Sequence, residues 1–466
     1  MENFYVGTDL TVKVLQMHPD WVMYNDDGTT VQRNEGGPYY FIDPANKEVQ
    51  DTLIAYYNEL LQKNPDVAGL NLDYIRYPVS DKAEDTGYTV EAMKGFYELL
   101  GKSFTENQLS SREKMYNKFK QLFDANYCIG GEKEVEENFE KWVKYRASII
   151  TEYVRRIKDE VKLPNNIMLS TSVFASLTES SNAKKQDWKT WFNNGWIDIA
   201  TPMAYYNNSS DVNARVQEMI LMGGNTCMYY TGLASSYSGL PAFYNKEFVE
   251  ASYNAGASGY VIFCSTQIIG HEDVQNALKN GVNGKWAVLP HADINDVLSA
   301  SFADILDKSD RIYIPAGGMS AEQREALSAV LDTISEMDDS DAVAIYKIKK
   351  ALSDLTKTSE IKKYASGYSR QRILEQLEYL VDILDARISM QLIADGEWDP
   401  ETEPQRPTVN ENGIGVPGNN NPDPKPPVDD GNQNVEGPTD EPEELGFFAR
   451  IIQAIIAFFK RLFGLV

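Results

Sequence analysis

A regular alternation of short apolar runs with amphipathic helical segments, between about residues 46 and 282, constrains the fold of this chain more than any other feature. Five of the apolar runs have the length of a buried strand. They are Val67–Leu72, Ile167–Phe174, Ile197–Tyr205, Thr226–Thr231 and Gly259–Cys264. Helical periodicity covers 46–64, before the first run, and 133–160, before the second. Strands that alternate with helices predict an α/β fold, a parallel sheet covered by helices.

Five strands do not close an eight-stranded barrel, so the pattern leaves two architectures open. The chain forms either an open doubly wound sheet or an incomplete (β/α)8 barrel whose first strands are missing from this sequence. Residues 10–17 are ambiguous, since they fit a short strand or a helical turn. A long segment, about 79–132, interrupts the alternation and carries helical patterns of its own.

The pattern becomes helical after residue 283, and residues 284–398 are predicted to form a helical appendage. Its helices are expected at about 320–337, 341–353 and 369–394. Ser320 is the predicted N-cap of the first of these, with Gln323 completing a capping box, and Ser369 is the predicted N-cap of the last. The apolar segment Arg311–Gly317 is expected to be a strand or an extended crossing.

The composition changes again near the C-terminus. Residues 399–444 hold half of the chain's 20 prolines and many acidic residues, so this linker cannot bury a core and is predicted to be disordered. Residues 445–466 are predicted to form an amphipathic helix, because Arg450, Lys460 and Arg461 share one stripe among Phe, Ile and Leu. The apolar run falls short of the roughly 20 residues that a membrane span needs, which favours contact of 447–466 with a membrane surface. Docking on the protein itself or on a partner is the alternative.

Charge and cysteine usage exclude several classes of function. The net charge is −25, which disfavours nucleic acid as a partner because phosphate binding needs clustered Lys and Arg. The three cysteines are far apart, so no disulfide framework is implied, and Cys227 and Cys264 are expected to be small buried apolar residues. No spacing of His, Cys and carboxylates indicates a metal site. A nucleotide site is disfavoured because Gly223-Gly224 precedes a strand instead of following one.

The motif with the clearest chemistry is GLNLDYIRYP, residues 69–78. In a strand, its two leucines face one side while Asn71 and Asp73 face the other, and Asp73 falls at the carboxyl end of the strand. That end faces the ligand in parallel α/β folds. Asp73 is therefore the candidate catalytic carboxylate of a sugar site. The sugar-binding candidates around it are Asn71, Tyr74, Arg76 and Tyr77. The alternative is an Asp–Arg pair that only fixes a loop.

Other strand ends supply further candidates on the same rim. Tyr205 and Tyr206 end the third run and Tyr230 ends the fourth, so all three are expected to bind substrate. Asp198 lies at the start of its strand and is expected to cap or pair at the opposite rim. A glycosidase needs a second carboxylate, for which the sequence offers only weak candidates on the loop after the first run. They are Asp81, Glu84 and Asp85.

Five of these segments, HPDW, DPANKEV, GLNLDYIRYP, WIDIATPMAYY and GYVIFCS, follow one another over about 18–265. Together they resemble the glycosyl-hydrolase-like family 10, bacterial relatives of the (β/α)8 glycosidases. The resemblance implies that GLNLDYIRYP is the fourth barrel strand and that Asp73 matches the family's strand-end acid. Arg76 and Tyr77 then match its neighbours, and Tyr205 matches the aromatic residue that ends the sixth strand. The family's first three strands would precede HPDW.

The resemblance implies a hydrolase that uses carboxylate acid–base chemistry, needs no cofactor and acts on a bacterial polysaccharide. One branch of the family acts on peptidoglycan glycan strands at the cell envelope, which implies an extracellular or cell-surface location. The predicted terminal helix makes that expected location membrane-associated. The N-terminal residues, MENFYVGTDL, do not form a signal peptide, because they lack a basic segment followed by an apolar one. A non-catalytic carbohydrate-binding or scaffolding protein is the alternative, because only one acid is identifiable and the barrel is incomplete.

Overall fold

The computed structural model describes residues 2–397, apart from 33, 36, 235–240 and 280–287. The predicted linker, 399–444, and the predicted terminal helix, 445–466, lie outside the described residues. The described strands form two sheets. The strands are β1 (Tyr5–Gly7), β2 (Tyr40–Phe41), β3 (Gly69–Leu72), β4 (Met168–Phe174), β5 (Ile199–Met203), β6 (Met228–Ala234) and β7 (Gly259–Phe263).

Helices separate the strands of the larger sheet, and the elements in the described residues after it are all helical. The first helices are α1 (Lys13–Met17), α2 (Lys47–Lys63), α3 (Val90–Leu99), α4 (Glu106–Leu109), α5 (Arg112–Phe119), α6 (Glu132–Ile157), α7 (Leu163–Asn165), α8 (Leu177–Ala183) and α9 (Trp188–Asn193). The remaining helices are α10 (Ser209–Gly223), α11 (Tyr244–Asn254), α12 (Ser265–Ile268), α13 (Glu272–Lys279), α14 (Ile294–Lys308), α15 (Ala321–Ser335), α16 (Ala342–Thr356), α17 (Thr358–Ile361) and α18 (Gly367–Ala394). No helix in the described part of the chain is both long and apolar enough to cross a bilayer.

The larger sheet is parallel, and its strand order, β3-β4-β5-β6-β7, follows the chain. Each connection between consecutive strands therefore leads to the next strand in the same direction across the sheet. Its helices lie on the same face of the sheet as those of the other connections. A doubly wound sheet needs a point where the strand order reverses, and this order has none. The sheet is a curled half-barrel with helices outside, so the barrel alternative is confirmed and the doubly wound one is wrong.

The two faces of the sheet differ because side chains alternate along each strand. The outward face joins a large core with the surrounding helices, in which Leu70, Leu72, Leu169 and Ala200 are buried. The register places Asn71 opposite Ser170 on the inward face, and Phe174 opposite Met203. The inward positions nearest the carboxyl ends of the strands are Asn71, Ser172, Phe174, Thr201, Met203, Gly232, Ala234, Val261 and Phe263.

Close contact between β3 and β4 depends on a glycine at the start of β3. A Cβ added to Gly69 would lie 2.5 Å from the carbonyl oxygen of Met168. No side chain fits at that distance, so a larger residue would push the two strands apart. Gly69 thereby permits the close pairing of β3 and β4 in which Asn71 lies beside the serines of β4.

The N-terminal segment lies along the β3 edge of the sheet. Glu2 forms an isolated parallel bridge with Asp73, and the Asn3 N–H donates to the Asp73 carbonyl oxygen at 2.9 Å. β1 then turns away to pair antiparallel with β2. The ambiguous residues 10–17 contain a short helix, α1, and no strand.

The segment after β3 forms a small helical unit beside the half-barrel. It contains α3, α4 and α5 and packs against α6 around its own aromatic core. The core is built from Tyr88, Phe96, Tyr97, Phe119 and Trp142. This unit lines two surface hollows, of 460 and 630 Å³, and Asp73 lines neither of them.

Helices α14–α18 share a separate core. The predicted capping box is confirmed, since Ser320 Oγ accepts the Gln323 N–H at 3.2 Å and Gln323 Oε1 accepts the Ser320 N–H at 2.9 Å. The predicted cap at Ser369 is wrong, because α18 begins two residues earlier and Ser369 is buried within its first turns. Arg311–Gly317 is also not a strand, since it begins in a π-helical turn, Ser309–Tyr313, that extends α14.

Helix α18 covers the inward face of the half-barrel near the amino ends of the strands. Ile383 and Ala386 share a buried cluster with Ile199, Met228 and Tyr230. The Tyr379 hydroxyl donates to the carbonyl oxygen of Ser258. In a closed barrel, side chains from the opposite strands would fill this space. Here a helix of the appendage fills it.

We expect Ile383→Ala to lower the free energy of unfolding by about 2–4 kcal/mol, because it leaves a cavity between α18 and the sheet. Urea denaturation followed by circular dichroism measures this. Tyr368→Ala is the matched control, since Tyr368 lies on the same helix with its side chain exposed. Equal stability of both variants would show that α18 does not stabilise the half-barrel through this contact.

Candidate functional site

A row of polar side chains crosses the inward face from β3 to β4. The Ser170 hydroxyl donates to Asn71 Oδ1 at 2.9 Å, and Asn71 Nδ2 donates to Ser172 Oγ at 3.1 Å. Asn71 is exposed, and both serines are half-buried. The row therefore presents amide and hydroxyl groups to solvent in a fixed arrangement. These groups bind sugar hydroxyls well, because each both donates and accepts hydrogen bonds.

Asp73 lies two residues beyond Asn71, at the carboxyl end of β3, and is half-buried. Its Oδ1 accepts the Tyr74 N–H at 2.7 Å. Within the described residues, its Oδ2 has no hydrogen-bond partner. Asp73 forms no ion pair with Arg76, so the alternative in which an Asp–Arg pair fixes the loop does not apply. Among the residues that the structure describes, the Asp73 carboxylate is therefore held through one of its two oxygens.

Glu2 is the carboxylate that the structure brings to Asp73. The parallel bridge between the two residues directs their side chains to the same side of the sheet edge. Burial, and then the negative charge of Asp73, raise the pKa of the Glu2 carboxyl above its usual value. A neighbouring pair in which one acid holds its proton more tightly is the arrangement that acid–base catalysis uses.

Tyr74 directs the chain away from the sheet directly after Asp73. Its φ of +48° lies in the left-handed region of backbone conformation. That conformation costs a bulky residue about 1–3 kcal/mol, and residues that adopt it are concentrated at functional sites. The ring stacks on Tyr5 at 4.7 Å between centroids and lies 4.7 Å from the Arg76 guanidinium. Burial raises the pKa of the Tyr74 hydroxyl to about 12. The structure thus places Tyr74 beside Asp73, half-buried in an aromatic cluster.

Arg76 is buried and paired with Glu35. Its two terminal nitrogens donate to the Glu35 carboxylate at 2.7 and 2.9 Å, and Glu35 Oε1 also accepts the Val79 N–H at 2.6 Å. The side chain of Arg76 is only 7% exposed and that of Glu35 only 4%. The sequence predicts that Arg76 binds substrate. With its charge neutralised and its nitrogens engaged, it instead fixes the loop that follows Asp73.

Tyr77 is also predicted to bind substrate, and it lies beneath the rim with no exposed surface. Burial, and then the nearby charge of Asp43, raise the pKa of its hydroxyl well above the usual value. Next to it, Arg146 pairs with Asp85 at 2.8 Å, with both side chains buried. A side chain buried this deeply does not contact a bound sugar, so Tyr77 belongs to the support of the site.

Of the three weak candidates for the second carboxylate, Asp85 and Asp81 are engaged elsewhere, and Glu84 is exposed on the loop after β3. Asp85 accepts from Arg146, from Trp142 Nε1 at 3.0 Å and from the Tyr88 hydroxyl at 3.1 Å, and it is buried. Asp81 is exposed and accepts the backbone N–H groups of Ala83 and Glu84, so it shapes the loop. The structure brings none of the three predicted acids to Asp73.

The three tyrosines that are predicted to bind substrate at the other strand ends lie in three different parts of the structure. Tyr205 stacks on Phe263 with 5.7 Å between ring centroids, at the carboxyl ends of the strands. Tyr206 packs against the cluster between the outer helices. Tyr230 is buried under α18, where its hydroxyl lies 2.7 Å from His291 Nδ1. Of the three, only Tyr205 is placed on the inward side near the carboxyl ends.

Asp198 is placed as predicted, at the opposite rim. It pairs with Lys162 at 2.6 Å and accepts the Leu169 N–H at 2.7 Å. Of the two cysteines expected to be buried, Cys227 is buried and Cys264 is half-buried. The described residues contain no group of His, Cys and acidic side chains arranged to hold a metal ion.

Sequence reasoning missed several residues of the site. Ser170, Ser172 and Phe174 alternate with Leu169 and Val173 in β4, and this alternation was the signal for an inward polar face. Glu35 lies in a loop far from Arg76 in the chain, and no local pattern links the two. Glu2 was missed because its position follows from a backbone bridge.

Comparison with known proteins adds a family match. The sequence model described as glycosyl hydrolase-like 10 matches residues 4–242, just over half of the chain. Curated protein sequences give no significant match. Among solved structures, the catalytic domain of β-amylase from Paenibacillus polymyxa aligns with a TM-score of 0.39 and 12% identity, over 60% of this chain and 80% of that one. So distant a likeness carries no argument about the site.

We expect Asp43→Asn to stabilise the protein by roughly 2–3 kcal/mol at pH 8 and by much less at pH 4. Burial raises the pKa of Asp43 from 3.8 to about 6. Between these values the folded protein holds a proton that the unfolded chain releases, so ionisation of Asp43 costs stability as the pH rises to about 6. Asn keeps the oxygen that accepts the Ala45 N–H.

Urea denaturation midpoints from pH 4 to pH 8 measure this effect. Asp66→Asn, at an exposed position, is the control. A stability difference between Asp43→Asn and the unaltered protein that does not change with pH would contradict the assignment.

Proposed function

Since this chain belongs to the glycosyl hydrolase-like 10 family, we propose that it binds a bacterial polysaccharide along the inward face of the half-barrel and hydrolyses a glycosidic bond at Asp73. The family makes the chain a glycosidase-like protein. One observation carries the rest of the proposal: Asp73 is a half-buried carboxylate at the ligand-facing end of β3, with one oxygen fixed by the Tyr74 N–H.

The proposed chemistry uses Asp73 and Glu2 as a pair. Protonated Glu2 gives its proton to the glycosidic oxygen as the bond to the anomeric carbon breaks, and Asp73 forms a bond to that carbon. Glu2 then takes a proton from water, which displaces Asp73. The bridge brings the backbones of Glu2 and Asp73 together, so both carboxyl groups can act on one glycosidic bond. The two steps are those of a retaining glycosidase, whose carboxyl groups lie roughly 5–5.5 Å apart.

We extend the proposal to peptidoglycan glycan strands as the substrate and to the cell envelope as the location. The support is the family resemblance of the sequence motifs and the composition of residues 447–466, which are apolar with three positive charges and no acid. Such a segment would hold the protein at a membrane surface, within reach of envelope glycans.

The second candidate function is carbohydrate binding without hydrolysis. The observation that favours it is the engagement of the other nearby acids, because Glu35 is paired with Arg76 and Asp85 with Arg146. In this case the polar row of Asn71, Ser170 and Ser172 would bind the glycan, and Asp73 would only accept hydrogen bonds from its hydroxyl groups.

We expect Asp73→Asn to lower the rate of glycan hydrolysis at least about 100-fold while leaving glycan binding nearly unchanged. Release of reducing ends from purified glycan strands, alongside a binding isotherm, measures both. Asp81→Asn is the matched control, since Asp81 is an exposed acid on the following loop. Binding without hydrolysis by the unaltered protein would select the second candidate. Unchanged turnover in Asp73→Asn would remove this residue from the mechanism.

We expect Glu2→Gln to slow hydrolysis and to remove the alkaline decline of the pH profile. Because the pKa of Glu2 is raised, the unaltered protein keeps its acid protonated to a higher pH, and activity falls as the pH rises through that pKa. A profile of kcat/KM against pH tests this. An alkaline decline that persists at the same pH in Glu2→Gln would assign the general acid to another group.

A further inference from the structure

A buried asparagine lies between the two carboxylates of the proposed site. Asn3 is only 1% exposed, and Glu2 directly precedes it in the chain. The backbone N–H and the side-chain Nδ2 of Asn3 both donate to the carbonyl oxygen of Asp73, at 2.9 and 2.8 Å. A carbonyl oxygen has two lone pairs, so it accepts both hydrogen bonds. Asn3 thus holds the backbone of Asp73 through two bonds and is joined covalently to Glu2.

The hydroxyl of Tyr57 fixes the side chain of Asn3 from the other side. Tyr57 lies on α2 with no exposed surface, and its hydroxyl donates to Asn3 Oδ1 at 2.6 Å. The amide therefore has a donor facing its oxygen and an acceptor facing its nitrogen. The reversed amide would bring two oxygens together at the Asp73 carbonyl, so the observed orientation is the favourable one. A line of hydrogen bonds thus leads from the buried face of α2 to the backbone of Asp73.

Glu2 depends on this anchor because it is exposed and is joined to the sheet by a single isolated bridge to Asp73. Exposed backbone with few buried contacts opens easily. Acid–base cleavage requires both carboxyl groups to reach the same glycosidic bond at once, and a displacement of about 1 Å can lower a rate about 100-fold. The side chain of Asn3 opposes that displacement, because moving Asp73 away from Glu2 breaks a hydrogen bond of a buried amide.

Resting on the proposed function, we propose that Asn3 is a positioning residue for the pair of Glu2 and Asp73, and that Tyr57 acts on this pair through Asn3. Neither Asn3 nor Tyr57 contacts a bound sugar, since both side chains are buried. The side chains of Asn71 and Ser172, which would bind the sugar, are hydrogen-bonded to each other. Loss of the Asn3 amide therefore slows the chemical step and leaves substrate binding in place.

We expect Asn3→Ala, in the full chain, to lower kcat on purified glycan strands about 10- to 100-fold and to change KM by less than about 2-fold. The pH profile of kcat/KM adds a readout that a loss of stability alone would not move. Burial, and then the charge of Asp73, raise the pKa of Glu2, and both effects weaken when the segment loosens. The alkaline decline of kcat/KM therefore moves to lower pH in Asn3→Ala.

Tyr57→Phe tests the same line of hydrogen bonds, because it removes one hydroxyl and keeps the packed ring. We expect it to lower kcat about 3- to 10-fold by itself and to have no further effect in the Asn3→Ala background, since the two residues act in series. Tyr229→Phe is the matched control, because its buried hydroxyl donates to the carbonyl oxygen of Gly224 at 2.8 Å. Melting curves of all variants verify that they are folded.

Titration of the Glu2 carboxyl by carbon NMR, assigned by its loss in Glu2→Gln, gives a readout that needs no turnover. The pKa of Glu2 is expected to fall in both Asn3→Ala and Tyr57→Phe. An unchanged pKa of Glu2 overturns the positioning role, and so do additive losses of kcat in the double variant or a rise of KM with kcat unchanged. If the unaltered protein hydrolyses no glycan, the proposed function fails, and this titration still decides whether Asn3 holds the pair.

Discussion

The inward face of an open half-barrel has no opposite wall of strands. The rest of this structure depends on which part of that face is covered and which part is left in contact with water. Burial of apolar surface stabilises a fold by about 25 cal/mol per Å², so an uncovered apolar face would forgo that stabilisation and invite association. Near the amino ends of the strands the face is apolar, and α18 covers it. On β3 and β4, near the carboxyl ends, it carries the polar side chains of Asn71 and Ser172. The position of the site follows from this division.

Buried ion pairs fix the loops around the site without using its carboxylate. Arg76 is neutralised by Glu35 and Arg146 by Asp85, and each pair lies almost entirely out of solvent. Breaking such a pair leaves an uncompensated buried charge, so the loops that carry these residues are held strongly. Asp73 pairs with neither arginine and remains at the edge of the inward face. The left-handed conformation of Tyr74 is maintained by the same supports, through its contacts with Tyr5 and Arg76.

Much of the fold was predictable because it depends on local periodicity. Each of the five predicted strands is present, with ends that differ by a few residues, and their sequential order decides between the two architectures. The capping box of Ser320 and Gln323 and the pairing of Asp198 at the far rim were also predictable, since each follows from position within one element. The site was predicted less well. The burial of Tyr230 depends on α18, and the engagement of Arg76 depends on Glu35, and both partners are distant in the chain.

The coverage of the inward face by α18 has a consequence for biosynthesis. The last strand of the half-barrel ends at Phe263, whereas α18 ends at Ala394. At a synthesis rate of roughly 5–20 residues per second, the sheet waits on the order of ten seconds at the ribosome before its covering helix is made. During that interval Ile199, Met228 and Tyr230 have no partner from α18. The nascent half-barrel therefore exposes this apolar surface to water until α18 has been made.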